Sequence, residues 1–201
     1  MNKYNDIKEF VRLSNGILYT KEFRKLKIGK YYINKLIIDG IIERYKPGVY
    51  LRNGVVGDEY YILQNRGPAI VYSLSTALYL HNIIEAEPTN IDITVYTGYN
   101  TSHLPKNIKR HFIKERNYYL GITKVKTQNG FKVKLYDLER TACDLIKARN
   151  TGLNQEQINE FLNMIFLEET FDMVKLIKYA EKLQCESKVR NTIELFSSNN
   201  L

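Results

Sequence analysis

The fold turns on residues 20–52, TKEFRKLKIGKYYINKLIIDGIIERYKPGVYLR. Thr20 is placed to N-cap a first short helix, its hydroxyl taking an orphan backbone N–H. Phe23 and Leu26, three apart, share the inner face of that helix. Ile28-Gly29-Lys30 then breaks it, and a Gly-containing turn between two short helices is the helix-turn-helix pattern. In the second helix Ile33, Leu36 and Ile37 fall on one face, at i, i+3 and i+4. Lys30, Tyr31, Asn34 and Lys35 fall mostly on the other. Gly40 supplies a stop. Residues 41–45 and 49–51 are β-rich and are joined by the turn Lys46-Pro47-Gly48. Helix, turn, helix and a basic-tipped hairpin make a winged helix. Its second helix is expected to enter a DNA major groove, while Arg44 and Lys46 of the hairpin reach the flanking phosphates. Winged helices also serve as protein–protein modules, which is the competing reading of the same layout.

Working outward, residues 5–14 form an amphipathic helix with Ile7, Phe10 and Val11 inward, and Ile17-Leu18 is a short strand able to pair with the wing. This completes a winged helix-turn-helix domain over 1–54. Asn53-Gly54 and Gly57 mark its boundary with a second domain, 55–201, expected to be mixed α/β with a small sheet and a helical C-terminus. The class is therefore α+β. In the second domain residues 58–65 and 75–81 read as helices, with Ser73 or Ser75 capping the latter. Ile91, Ile93 and Val95 alternate with polar residues as a half-buried strand. Residues 108–113 and 118–125 read as further strands. Asn129-Gly130 turns a hairpin whose return strand carries Phe131, Val133 and Leu135. Asp137 is a helix N-cap, followed by a stripe of Leu138, Thr141, Ala142, Leu145 and Ile146 that ends near Thr151-Gly152. Asn154 with Gln157 is a capping box. Asp172 opens a helix with Met173, Leu176, Ile177, Ala180 and Leu183 inward.

The chain has 201 residues, 44% hydrophobic and 26% charged, which suits one or two soluble globular domains. No apolar run approaches a membrane span, and the N-terminus lacks an apolar signal core, so a cytoplasmic protein with no membrane association is expected. Cys143 and Cys185 lack metal-like spacing and read as separate, reduced, partly buried thiols. The net charge of +8 is uneven. Residues 1–54 hold 12 Lys or Arg against 5 Asp or Glu, and residues 102–134 hold 9 against 1. The other two regions are net acidic. Local basic patches are what phosphates meet. The second of them, Lys106, Lys109, Arg110, Lys124, Lys126, Lys132 and Lys134, is expected to line one sheet face as a second basic surface.

Motifs for catalysis are missing. His81, His103 and His111 have no metal-ligand spacing, and neither a phosphate-binding Gly-rich loop nor Gly-x-Ser-x-Gly occurs. A nuclease site could be assembled from Asp92, Glu115 and Lys126, but nothing in their spacing favours it over sheet-surface charges. Acid pairs such as Asp137 with Glu139, or Asp144 near Arg140, are more simply capping and dipole partners. The expectation is a protein that is not an enzyme and needs no metal or cofactor. Tyr31, Tyr32 and Tyr45 lie beside lysines and arginines, where they can contact phosphate or sugar.

The segment NGILYTKEFRKLKIGKYYINKLIIDGIIERYKPGVYL resembles the N-terminal winged helix of AbiEi-type antitoxins, from bacterial type IV toxin–antitoxin systems that act in abortive infection. SLSTALYLHNI, IDITVYTG, LGITKVKTQNGFKVKLYD and LERTACDLI continue the resemblance in order, over residues 5 to 166. It implies a winged helix that binds inverted repeats in its own promoter and represses the operon. It also implies a C-terminal domain that opposes a nucleotidyltransferase-type toxin, AbiEii, without a stable complex. The DNA-binding residues carried over lie on the matching helices and wing: Thr20, Lys30, Tyr31, Asn34, Lys35, Arg44 and Lys46. The family often has more polar or basic residues where this chain has Tyr31 and Tyr32. The alternative is a stand-alone winged-helix transcriptional regulator whose second domain senses a ligand or dimerises.

Overall fold

The computed structural model describes residues 3–147 and 153–199. Among these the chain forms ten helices and eight strands, an α+β composition with two separate sheets. It divides into two compact units, Met1–Ile62 and Leu63–Leu201.

The first unit runs α1 (Lys3–Leu13), β1 (Ile17–Tyr19), α2 (Thr20–Lys25), α3 (Lys30–Ile38), β2 (Ile42–Lys46) and β3 (Val49–Arg52). Its sheet is antiparallel, in the order β1-β3-β2. Leu18 lies opposite Tyr50 on one side, and Arg44 lies opposite Tyr50 on the other. A register shift between Arg44 and Lys46 leads into Gly48, whose φ of +76° suits a residue without Cβ. The helices bury Val11, Phe23 and Leu36 completely against this sheet, with Ile7, Ile33 and Ile42 around them. The Phe23 ring meets Tyr50 edge-on at 5.6 Å and Phe10 at 6.2 Å. Sealing such a ring stabilises the unit by about 1.5–3 kcal/mol.

Two local expectations are corrected here. Thr20 is not the cap but the first residue of α2. Tyr19 precedes it in extended conformation, and the Glu22 carboxylate accepts the Tyr19 N–H at 2.7 Å. The Thr20 N–H instead donates to the Gly48 carbonyl at 3.0 Å, latching the helix to the hairpin tip. Leu26 is half exposed rather than inward. The chain leaves the helix there, Lys27 turns at φ +53°, and the Ile28 N–H returns to the Phe23 carbonyl at 2.8 Å, so Ile28 fills the core in its place.

The units divide eight residues beyond the expected boundary, inside α4 (Glu59–Arg66). Side-chain bonds account for the difference. Asn15 donates to the Tyr61 hydroxyl at 2.6 Å, and Glu59 takes bonds from Tyr45 and Lys46 of the hairpin. The segment after Gly54 is thereby tied to the first unit.

The second unit continues with β4 (Val71–Tyr72), α5 (Leu74–Leu80), β5 (Ile91–Tyr96), β6 (Ile108–Ile113), α6 (Glu115–Tyr118), β7 (Ile122–Lys126) and β8 (Lys132–Tyr136). Four helices close it: α7 (Leu138–Lys147), α8 (Gln155–Phe166), α9 (Met173–Lys182) and α10 (Glu186–Asn199). The sheet order is β6-β5-β4-β8-β7, with β5–β6 and β4–β8 parallel. The core joins α5 and α7 to α8, α9 and α10 through Leu78, Ala142, Ile165, Leu176 and Val189. The Asn154–Gln157 capping box forms with both bonds, and Asp137 caps α7 by accepting the Arg140 N–H at 2.9 Å. Met173, expected inward, is exposed. The expected end of the α7 stripe at Thr151-Gly152 lies outside the described residues.

The strand expected over 118–125 begins four residues late. Residues 115–118 coil into α6, and Gly121, at φ +81°, accepts the Asp137 N–H at 2.8 Å. A Cβ there would stand 2.6 Å from that of Arg140. The cysteines are both free, as expected, but buried in the core rather than partly buried. Cys143 donates weakly to the Leu176 carbonyl at 3.8 Å, and the neighbouring Cys185 side chain together with burial pushes its thiol up.

His81 bonds through Nε2 to the Tyr136 carbonyl at 2.8 Å. Burial lowers its pKa below the usual 6.5, against the pull of that carbonyl and of nearby acids. The folded state therefore favours neutral imidazole. Its contribution to stability is complete above pH ~6.5 and is lost as pH falls below that value. Urea midpoints measured at pH 7.5 and pH 5.5 are expected to fall with acid, and His81→Gln is expected to reduce the difference.

Candidate nucleic-acid interface

α3 is nine residues long, about 14 Å at 1.5 Å per residue, and a helix about 10–12 Å across with its side chains matches a major groove about 12 Å wide. Ile33 and Leu36 anchor its inner face. That fixes the rotation of the helix and turns Lys30, Tyr31 and Asn34 outward, where all three are exposed. Lys30 and Asn34 are one turn apart, as are Tyr31 and Lys35. The Tyr31 ring is 70% exposed and edge-on to Tyr32 at 5.3 Å. Lys35 is half-buried, with its ammonium 4.4 Å from the centre of the Tyr4 ring. Tyr4 in turn donates to Asp39 at 2.5 Å, and burial with that acid raises its pKa to about 12.

The start of α3 is unusual in its charge. Gly29 caps it without a side-chain bond, no acid occupies the first turn, and Lys30 is its first residue. A cation at the positive end of a helix dipole is unfavourable by about 0.3–1 kcal/mol, so the arrangement is better matched to an external anion than to self-contained stability.

In the hairpin, Arg44 is exposed and its guanidinium lies 5.7 Å from the Tyr50 ring. Lys46 is held differently. Its ammonium pairs with Glu59 at 2.5 Å, and the Tyr45 hydroxyl donates to the same carboxylate at 2.8 Å, which with burial raises the Tyr45 pKa. Sequence reasoning missed Glu59 because it lies thirteen residues on, past the expected boundary.

The second basic surface divides. β6, with Lys109 and Arg110, forms one edge of the five-stranded sheet, and β7 forms the other beside β8. Lys106 precedes β6 and is exposed, while Arg110 donates to the carbonyls of Leu104, Pro105 and Ile108. At the far edge Lys126 lies opposite Lys132 and Lys124 opposite Lys134. Lys124, Lys126 and Lys132 are exposed, whereas the Lys134 ammonium donates to the Pro68 carbonyl, and burial with the neighbouring Lys124 charge lowers its pKa. The basic residues thus lie towards the two edges of the sheet rather than along one continuous face, because β5 and β4 separate β6 from the β8–β7 pair.

The residues of the nuclease reading are not assembled. Asp92 is buried and paired with His111, and its strand is separated from that of Lys126 by β4 and β8. Among the described residues no group of three or more His, Cys, Asp or Glu is placed to hold a metal, and no helix is long and apolar enough to cross a membrane. A scan against protein-family models matches none, and a search of curated proteins finds no significant match.

Proposed function

We propose that the first unit is a winged helix-turn-helix that binds double-stranded DNA at inverted repeats of its own promoter, and that the chain is an autorepressing antitoxin of the AbiEi type. In this reading α3 is the recognition helix. Lys30 and Asn34 approach base edges, Tyr31 and Lys35 approach sugar and phosphate, and Arg44 and Lys46 hold the flanking backbone. Thr20, latched to the hairpin tip, positions the wing beside the groove. The second unit counteracts a nucleotidyltransferase-type toxin without a stable complex, as the family resemblance implies. The observation that carries the DNA-binding half is the exposed face of Lys30, Tyr31 and Asn34 on a helix whose opposite face is locked into the core.

The Lys46–Glu59 pair supplies a test. Glu59 competes with phosphate for Lys46, so Glu59→Gln should tighten binding to every duplex and steepen the salt dependence by about one phosphate contact. Lys46→Ala should weaken binding to all sequences. Asn34→Ala should instead relax sequence preference, at about 1–3 kcal/mol for a lost base contact. Fluorescence anisotropy across a salt series reads all three. If the Glu59 and Lys46 variants keep the wild-type slope and Asn34→Ala keeps the wild-type preference, the assignment fails.

A further inference from the structure

The parallel pairing of β5 and β6 sets Thr94 beside His111 on one face of the second sheet. α7 contributes Arg140, Asp144 and Lys147 at i, i+4 and i+7, one stripe of the helix. These side chains line a cleft of about 220 Å³, with Phe112 half exposed at its rim.

Arg140 is fully buried. Its Nε donates to both oxygens of Asp144, at 3.0 and 3.1 Å. Its Nη1 donates to the carbonyls of Asn117 and Leu120, each at 2.8 Å, and the guanidinium stacks 4.1 Å from the Tyr136 ring centre. Among the described residues Nη2 has no acceptor. A buried, permanently charged donor without an acceptor is costly, and this one borders a cleft. Two further groups face the same space. The His111 ring bonds through Nε2 to buried Asp92 at 2.7 Å, so Nδ1 can donate to a ligand when the ring is the imidazolium, its charge balanced by the Asp92 carboxylate. The Lys147 ammonium spends one N–H on the Leu183 carbonyl at 2.7 Å and retains two.

We infer that this cleft is a binding site for a small phosphate-bearing molecule, held by Arg140 Nη2, Lys147 and His111. The donor arrangement selects the anion. A planar carboxylate is best held by two neighbouring guanidinium nitrogens, but Nε and Nη1 are already engaged, so no edge of the guanidinium is open. The remaining donors are spread over three residues, which suits an anion with three terminal oxygens. The volume excludes a duplex, and the Phe112 ring offers a face to an organic group on the phosphate. The inference concerns the second unit alone, so it stands or falls independently of DNA binding by the first.

The full chain is titrated calorimetrically with inorganic phosphate, adenosine 5′-monophosphate and acetate. Saturable binding of phosphate is expected, with acetate much weaker. Tighter binding of the nucleotide than of phosphate would identify an organic ester as the occupant, and equal binding would identify the free anion. Lys147→Gln and His111→Gln should each weaken phosphate binding about tenfold, as for a lost charge-assisted bond. Arg140 is left intact because the unit's fold depends on it, and circular dichroism checks that both variants are folded. Lys182→Gln, elsewhere on the unit, should change nothing. Absence of saturable phosphate binding, equal binding of acetate, or binding unaffected in both folded variants would overturn the assignment.

Discussion

Replacing Arg140 with methionine is expected to destabilise the second unit by about 3–5 kcal/mol, the range for removing one partner of a buried ion pair. The change strips Asp144 of its counter-charge and leaves the carbonyls of Asn117 and Leu120 without their donor. Burial already pushes the Asp144 carboxyl up against the pull of Arg140. Without the guanidinium that carboxyl should take a proton more readily. The loss is therefore greatest at neutral pH and shrinks as pH falls, because the neutral acid costs less to bury than the carboxylate. Changing Asp144 to leucine in the same chain should recover part of the loss, since the unpaired and largely buried charge is then removed. Urea unfolding at pH 7.5 and 5 measures each case. A loss below about 1 kcal/mol for the single variant would show that the pair contributes as little as a surface one.

Charge reversal at both Lys30 and Lys35 is expected to abolish duplex binding by the full chain. The lost Lys35 phosphate contact removes about 0.9 from the slope of log affinity against log salt, the lost Lys30 base contact removes about 1–3 kcal/mol, and each new carboxylate adds repulsion. Together they should weaken binding more than about 100-fold at physiological salt. The fold should survive. Lys30 is exposed, and Lys35 contributes a cation–π contact to Tyr4 worth about 0.5–1 kcal/mol. A thermal melt near wild type together with lost anisotropy separates an interface defect from unfolding. If the doubly reversed chain binds duplex as wild type does, α3 is not the contact surface.

How much of this was legible in the sequence depended on distance along the chain. In the first unit the signals are local. Gly29, Gly40 and Gly48 punctuate it, and Ile33 with Leu36 fixes the face of α3, so the elements and the outward residues could be read directly. The exchange of Leu26 for Ile28 could not, because it follows from one left-handed residue at Lys27. In the second unit the pairings that matter are remote. β4 is two residues long, too short to show alternation, yet it joins both halves of the sheet. Without its place in the strand order, Lys109 and Lys132 read as parts of one basic sheet face. Arg140 and Asp144 were visible as an acid–base pair on a helix, but their burial arises from β8, α6 and the turn at Gly121. The spacing of Arg140, Asp144 and Lys147 was the signal that could have marked the cleft.

The central claim is that the outward face of α3 reads base sequence. It is tested most directly by titrating the full chain, at one fixed salt concentration, against two labelled duplexes. One carries the DNA immediately upstream of its own reading frame, and the other is a shuffled duplex of the same composition. The account predicts a preference of at least about 10³-fold for the upstream duplex, the lower end for specific binders. Equal affinity for the two would contradict it.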